Sequence, residues 1–380
     1  VSWIFPVKAE KGHWNEVEKA GLWFRERLSV PAITLEEAKL ILLAPFETGT
    51  ITARDKREKP DTILAVQGGF RQRNLSSRSH EDKTSFLLAH KNERFFIVDP
   101  GHCCDPLNAL HSSGRTDSHN TWSFQAEPDQ EGGEGKVILQ QQATEISHHS
   151  QKYSNRNRMV QQVGQLHVIR VDSADAYGDP IMKAERTWIA FMPHVLFIVD
   201  RVESRTPVKV QSHFLLNNRD NRLKVNVAAA NRLVFRRNEA ALKFILLDAR
   251  SGEQDNPYRL RRDRCCKHDC GQPPTNHEGQ DMAGDAPIFR YETEHYFPSH
   301  TMIYAIAMDE EPLIRGWHLN VLEDGSCFVE PPGKAGGFAL QLDKEEWLLH
   351  NRGSGETYRI AANHVEKLQA PPVTPSDRTD

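Results

Sequence analysis

Cysteine is scarce in this sequence: 380 residues contain six, at Cys103, Cys104, Cys265, Cys266, Cys270 and Cys327. That density excludes a fold stapled by disulfides and leaves the redox compartment open. Long apolar runs are missing as well, and no window reaches the length needed to cross a bilayer as a helix, so a helical membrane protein is excluded. Neither sign of charge dominates. With 48 Lys and Arg against 52 Asp and Glu, the net charge of -4 lacks the basic footprint of a nucleic-acid binder. Neither nucleic acid nor a membrane is expected as a partner. The sequence opens at Val1 without an initiator Met, a charged n-region or an apolar h-region, so a removed leader or a longer parent protein is expected. G-x-S-x-G, Walker and H-E-x-x-H motifs are absent, Gly68-Gly69 is too short for a dinucleotide fingerprint, and no solenoid or propeller repeat is visible.

The chain is long enough to bury a large core. Residues 1–60 read as helical. Trp14, Val17, Ala20, Gly21, Trp23 and Phe24 recur at helical spacing, and Thr34-Leu35-Glu36-Glu37 has capping-box order before the apolar run Ala38 to Leu43. From Asp61 the pattern changes to short apolar runs broken by turn residues, such as Thr62 to Val66, Thr84 to His90, Arg94 to Asp99 and Leu166 to Asp172. That spacing predicts a mainly β fold of antiparallel sheets packed face to face, a multi-stranded β-sandwich over 61–365. Trp188 to Met192 and Val195 to Asp200, joined through Pro193-His194, read as a hairpin. Residues 251–287 are polar and rich in Arg, Asp, Gly and Pro, which predicts a long surface insertion, and 366–380 read as a loose tail.

One local arrangement carries chemistry. In a hairpin with its turn near Asn92, facing residues have numbers that sum to about 184, which puts Asp99 opposite Ser85 at the open end, a few residues from His80. His119 begins the next apolar run. Two histidines and a carboxylate form an accepted zinc set, so His80, Asp99 and His119 are candidate metal ligands; polar residues that only cap strand ends would give the same spacing. The second cluster, Cys265-Cys266-Lys267-His268-Asp269-Cys270 followed by His277, fits no usual zinc spacing and reads as cysteines in an insertion.

Three ordered segments resemble the core signature of the heparinase II/III family of polysaccharide lyases. They are His80-Glu81-Asp82-Lys83-Thr84-Ser85-Phe86, Phe96-Ile97-Val98-Asp99-Pro100-Gly101, and Arg115-Thr116-Asp117-Ser118-His119-Asn120-Thr121. Tyr177-Gly178-Asp179, Arg186-Thr187-Trp188 and Phe197 to Val202 resemble the family's next strands. The resemblance implies a β domain placed after an α/α toroid, of which residues 1–60 would be the end. It also implies a divalent metal held by His80, Asp99 and His119, zinc in the first place, with manganese or calcium as alternatives.

The implied activity is β-elimination in a uronate-bearing acidic polysaccharide of glycosaminoglycan or alginate type. Such chemistry needs a neutraliser for the uronate carboxylate together with a base and an acid in hydrogen-bond reach. Many family members place a catalytic His two positions before the metal-binding one, and here that position is Arg78. An Arg is no base at ordinary pH, but it pairs bidentately with carboxylate or sulfate. Arg78 is therefore the candidate catalytic residue, with Arg73, Arg115 and Asn120 as candidate substrate contacts. The same resemblance admits a non-catalytic glycan-binding or assembly module of this fold, and it implies a periplasmic or secreted location.

Overall fold

The computed structural model describes residues 41–46, 49–68, 80–97, 114–130, 133–141, 158–252, 254–265, 286–334, 336–343 and 346–368. The chain divides into the units Val1–Ile41 and Leu42–Asp380, and every described strand belongs to the second.

Three antiparallel sheets make up the described architecture. The first has five strands in chain order: β1 (Leu43–Pro45), β2 (Thr50–Arg54), β3 (Thr62–Gln67), β4 (Phe86–His90) and β5 (Glu93–Phe96). The second, with 13 strands, begins with β6 (Trp122–Ala126), β7 (Val137–Ile138), β8 (Arg158–Val163), β9 (Leu166–Asp172), β10 (Ile181–Phe191) and β11 (Val195–Leu215). It continues with β12 (Lys224–Ala229), β13 (Arg232–Arg237), β14 (Ala240–Ser251), β15 (Gln254–Asp255), β16 (Tyr258–Cys265), β17 (Ala286–Thr293) and β18 (Phe297–Glu310). The third is a six-stranded meander of β19 (His318–Val321), β20 (Cys327–Glu330), β21 (Phe338–Leu342), β22 (Trp347–Asn351), β23 (Glu356–Ile360) and β24 (Val365–Leu368).

Burial explains the order of the layers. In β3 the side chains alternate between buried and half-buried, as expected of a sheet covered on one face. In β11 the run Val195 to Val199 is buried at every position because both faces are covered. Leu196 and Ile198 join a core with Leu64, Phe86 and Phe96 of the first sheet. Phe197 and Val199 join a second core with Val329, Leu340 and Trp347 of the third. The large sheet is thus the middle of three layers, which is why its sequence reads as continuous apolar runs.

The mainly β, antiparallel fold agrees with the sequence pattern, while four boundaries differ. Within the segment read as helical, the described part is strand. β1 and β2 pair Leu43 with Ala53, and Ile51 and Ala53 are buried between half-buried Thr50, Thr52 and Arg54, a period-2 pattern that outweighs the apolar run before it. Residues 1–40 lie outside the described residues. A third sheet is present where a single sandwich is expected. Part of the polar insertion is also strand, because β16 pairs with β17 from Tyr258 opposite Thr293 to Cys265 opposite Ala286. The tail begins later than 366, since β24 runs to Leu368. The Pro193-His194 hairpin forms as read, with Trp188 opposite Ile198.

At the centre of the first core lies an ion pair. Arg186 is fully buried, and its Nε and Nη2 donate to Oδ1 and Oδ2 of Asp200, each at 2.7 Å. Its guanidinium carbon stands 4.4 Å from the ring centroid of Trp122, whose Nε1 donates to Asp200 Oδ2 at 2.8 Å. Removing one member of a buried pair strands the other charge. Arg186→Met should lower the unfolding free energy by about 3–5 kcal/mol, while the exposed pair Arg205–Asp179 should yield no more than ~1 kcal/mol on Arg205→Met. Urea titration of both variants measures the contrast.

Two buried histidines link the layers to pH. Thr62 Oγ1 donates to Pro193 O at 2.7 Å and so accepts from Nδ1 of His90 at 2.8 Å, while Nε2 of His90 has no hydrogen-bond partner among the described residues. Burial, with His194 and Lys91 nearby, lowers the His90 pKa to about 4, and burial lowers that of His167 to about 4 as well. Both folded values fall below the unfolded value near 6.5, so the unfolded chain binds more protons between pH ~6.5 and ~4. Stability is therefore full above about pH 6.5 and declines as pH falls through that window. Melting temperatures across the window should fall less steeply for His90→Asn than for the wild type; an unchanged slope would count against His90 as a source.

Candidate functional site

The site lies where the segments leading into β4 and β6 meet. Glu81 is almost fully buried, and its Oε2 accepts from the backbone N–H and the hydroxyl of Thr116 at 2.9 and 2.6 Å. Glu81 N–H in turn donates to Gly114 O at 2.8 Å. Three residues on, Thr84 has φ of 64°, a left-handed conformation that is costly for a β-branched side chain. Its backbone N–H donates to Gln67 O, and its hydroxyl lies 2.9 Å from that of Thr121. The strained turn thereby swings the chain from His80 into β4.

A ring of buried polar groups fixes the second segment. Tyr177, on a short helix over Ala174–Tyr177 (α1), donates its hydroxyl to Trp122 O at 2.7 Å. Gln140 Nε2 donates to the same hydroxyl at 3.0 Å and to Thr121 Oγ1 at 3.1 Å. Burial pushes the pKa of the Tyr177 hydroxyl up to about 12, so it stays neutral and serves as a strut. Beneath it Arg186 Nη1 donates to Asn120 O at 2.7 Å, which ties the residue after His119 to the buried ion pair.

His80 and His119 are brought together, with ring centroids 5.4 Å apart and planes tilted by 41°. His119 is fully buried and His80 partly so. Arg115 is close by in sequence, with a side chain 30% exposed and Nε 3.6 Å from Asp117 Oδ1. Asp99, Arg73 and Arg78 lie outside the described residues, as do Cys266, Cys270 and His277. Among the described residues no three His, Cys, Asp or Glu side chains converge as a metal site. Imidazole nitrogen is a donor that zinc takes, and a site built on this pair would need at least a third donor from elsewhere.

Asn120 requires a correction. It is fully buried, with Nδ2 donating to Phe86 O at 2.6 Å and Ile97 O at 2.8 Å, while Oδ1 accepts from Leu215 N–H. Its amide ties β4 and the end of β5 to β11, and no part of it is left to meet a sugar.

Sequence reasoning passes over Glu81, Thr84, Gln140 and the partnership of Arg186 with Asp200. The last is within reach: a hairpin through Pro193-His194 pairs residues whose numbers sum to 386, and that register puts Arg186 opposite Asp200. His213 carries no such signal. Its Nε2 lies 2.8 Å from Ser123 Oγ, and burial, with Arg290, Arg186 and His119 around it, holds its pKa well below the ordinary value.

Residues 57–265, more than half of the chain, match the family model described as heparinase II/III-like, C-terminal. No curated protein matches the chain significantly. Among solved structures, heparan sulfate lyase HepC from Pedobacter heparinus is similar with a TM-score of 0.58 at 12% identity, over 92% of this chain and 48% of that one. The heparinase III BT4657 gene product with methylated lysines gives 0.58 at 9% identity, over 94% and 47%. A heparinase III crystal structure gives 0.51 at 12% identity, over 86% and 42%. At such identities the likeness is one of fold, and the chain spans about half the length of the structures it matches. By its sequence match, this chain belongs to the heparinase II/III-like C-terminal family.

Proposed function

We propose that this chain supplies the β-sheet portion of a polysaccharide lyase acting on uronate-bearing acidic glycans. The observation that carries the reading is the meeting of His80 with His119 at the two strand entries, on a buried, hydrogen-bonded framework, with the partly exposed Arg115 four residues before His119 in the chain. In β-elimination a base removes the C5 proton, the C5–H electron pair becomes the C4–C5 double bond, and the C4–O bond breaks, its oxygen leaving with a proton. The negative charge that builds beside the carboxylate needs a fixed cation. Arg78 takes that part in this reading, with Arg73 and Arg115 holding neighbouring carboxylate or sulfate groups bidentately.

A divalent ion, zinc in the first place and otherwise manganese or calcium, would be held by His80, Asp99 and His119; when bound it would join three segments and add positive charge beside the substrate. The neighbours named as heparan sulfate lyases make heparan sulfate the first substrate to test. Arg78, standing where many family members have a His, favours a second reading, a glycan-binding module without turnover.

One set of measurements separates the two. The chain is incubated with heparin, heparan sulfate, hyaluronan, chondroitin sulfate and alginate, and the ultraviolet absorbance of the unsaturated product is followed. The lyase reading expects a rise with at least one of them, and silence with all five in the presence of added divalent metal would count against catalysis by this chain and favour the binding module. Elemental analysis of purified protein should find about one divalent ion per chain, and His80→Ala and His119→Ala should each lower both occupancy and melting temperature. A metal-free wild type that takes up neither zinc nor manganese would remove the metal from the reading.

A further inference from the structure

The face of the large sheet opposite Arg186 opens at one end into a cleft of about 560 Å³. That size suits a small-ligand site, for which ~300–1,000 Å³ is usual. Arg232 on β13 and Lys243 on β14 line one wall, and Arg315 and Trp317, after β18, line another; Phe328 and Glu330 of β20 complete it. Lys243 shares a face of β14 with Ala241 and Ile245, which belong to the core under the third sheet. The cleft is therefore on the other side of the middle layer from the His80 and His119 site.

Its charges are unbalanced. Arg232 is exposed and makes no ion pair among the described residues. The Lys243 ammonium donates to the carbonyls of Trp317 and Arg315, which hold it in place without neutralising it. Burial, and then the charge of Arg232, lower its pKa from the ordinary lysine value. Arg315 approaches Glu311 only to 4.0 Å, and that carboxylate is already engaged by Arg236 at 2.8 Å. Glu330 is the single carboxylate on the lining. The apolar part of the lining comes from Ile245, Leu319 and Leu322 with the buried rings of Trp317, fixed by donation from Nε1 to Asp309 Oδ2 at 2.8 Å, and Phe328, whose ring carries the Arg352 guanidinium carbon 4.6 Å from its centroid.

We propose that this cleft is a second glycan-binding site, which takes a sulfated or carboxylated oligosaccharide. Cations in excess of the carboxylates on the lining select the acidic groups, and a cleft of this volume with Arg232, Lys243 and Arg315 spread over its walls suits several acidic groups carried on one oligosaccharide better than a single inorganic anion. The choice of ligand class rests on the proposed function, whereas the cationic cleft does not. Occupied together with the first site by one long polymer, it would raise the effective concentration of glycan at the His80 and His119 end.

The test is calorimetric titration of the full chain with a heparin-derived hexasaccharide, comparing the wild type, Arg232→Glu/Arg315→Glu and Arg115→Ala. Both cleft substitutions are at exposed positions, and an unchanged melting temperature verifies the fold. Charge reversal should weaken binding at least tenfold and flatten its salt dependence. Equal affinity in the wild type and the cleft variant, with loss only in Arg115→Ala, would overturn the proposal. So would sodium sulfate at matched sulfate concentration, if it displaced the hexasaccharide completely in a high-salt background. Product absorbance is read separately: binding lost on charge reversal supports the cleft even if no glycan is cleaved, and cleavage without that loss rejects it.

Discussion

The bidentate pair between Arg186 and Asp200 is the constraint around which the rest is arranged. A guanidinium with no exposed surface is tolerable only if nearly every donor is used, and here the donors go to Asp200, Asn120 O and Ser212 Oγ. Asp200 is saturated in turn by the Trp122 indole and the Ser212 hydroxyl. The aromatic rings of Phe86, Trp122, Trp188 and Phe214 exclude water from the charge and surround it. Substituting a hydrophobic pair could match the packing, but it would release the Asn120 carbonyl and with it the backbone beside His119. The value of the pair lies in what it orients.

The same economy explains the polar residues around it. Glu81, Gln140, Tyr177 and Asn120 are buried, and each bonds to a backbone or hydroxyl group on a different segment. Side chains that look available to a ligand when read along the chain are taken up in closing these gaps. Among the described residues around them, His80, Lys83, Arg115 and Asp117 keep part of their surface exposed.

How much is legible in the sequence depends on the range of each signal. Strand periodicity and turn chemistry act over a few residues, so the antiparallel β class and the Pro193-His194 hairpin are legible. Facing registers within one hairpin are legible too, and Leu88 opposite Phe96 falls on the expected sum. The third sheet is not, because its strands look like any other short alternating runs, and only contact with β11 and β14 reveals a second core. Asn120 misleads for a similar reason: beside a candidate ligand it reads as functional, and its partners Ile97 and Leu215 are 23 and 95 residues away. The cationic cleft is invisible along the chain, since Arg232, Lys243 and Arg315 come from three elements with no common motif.

β11 is one uninterrupted piece of chain. Over its 21 residues it pairs with β10, β18, β17 and β6, changing neighbours past an irregularity between Glu203 and Val208. The contact of Asn120 with Leu215 can close only after this strand has found its place, and loops of that length are costly to close and slow to find. The histidines therefore meet on a surface that no local fragment can make. The placement of His80 against His119 thus reports on completed folding, so a lesion that leaves β11 misregistered would disturb that placement without touching either residue.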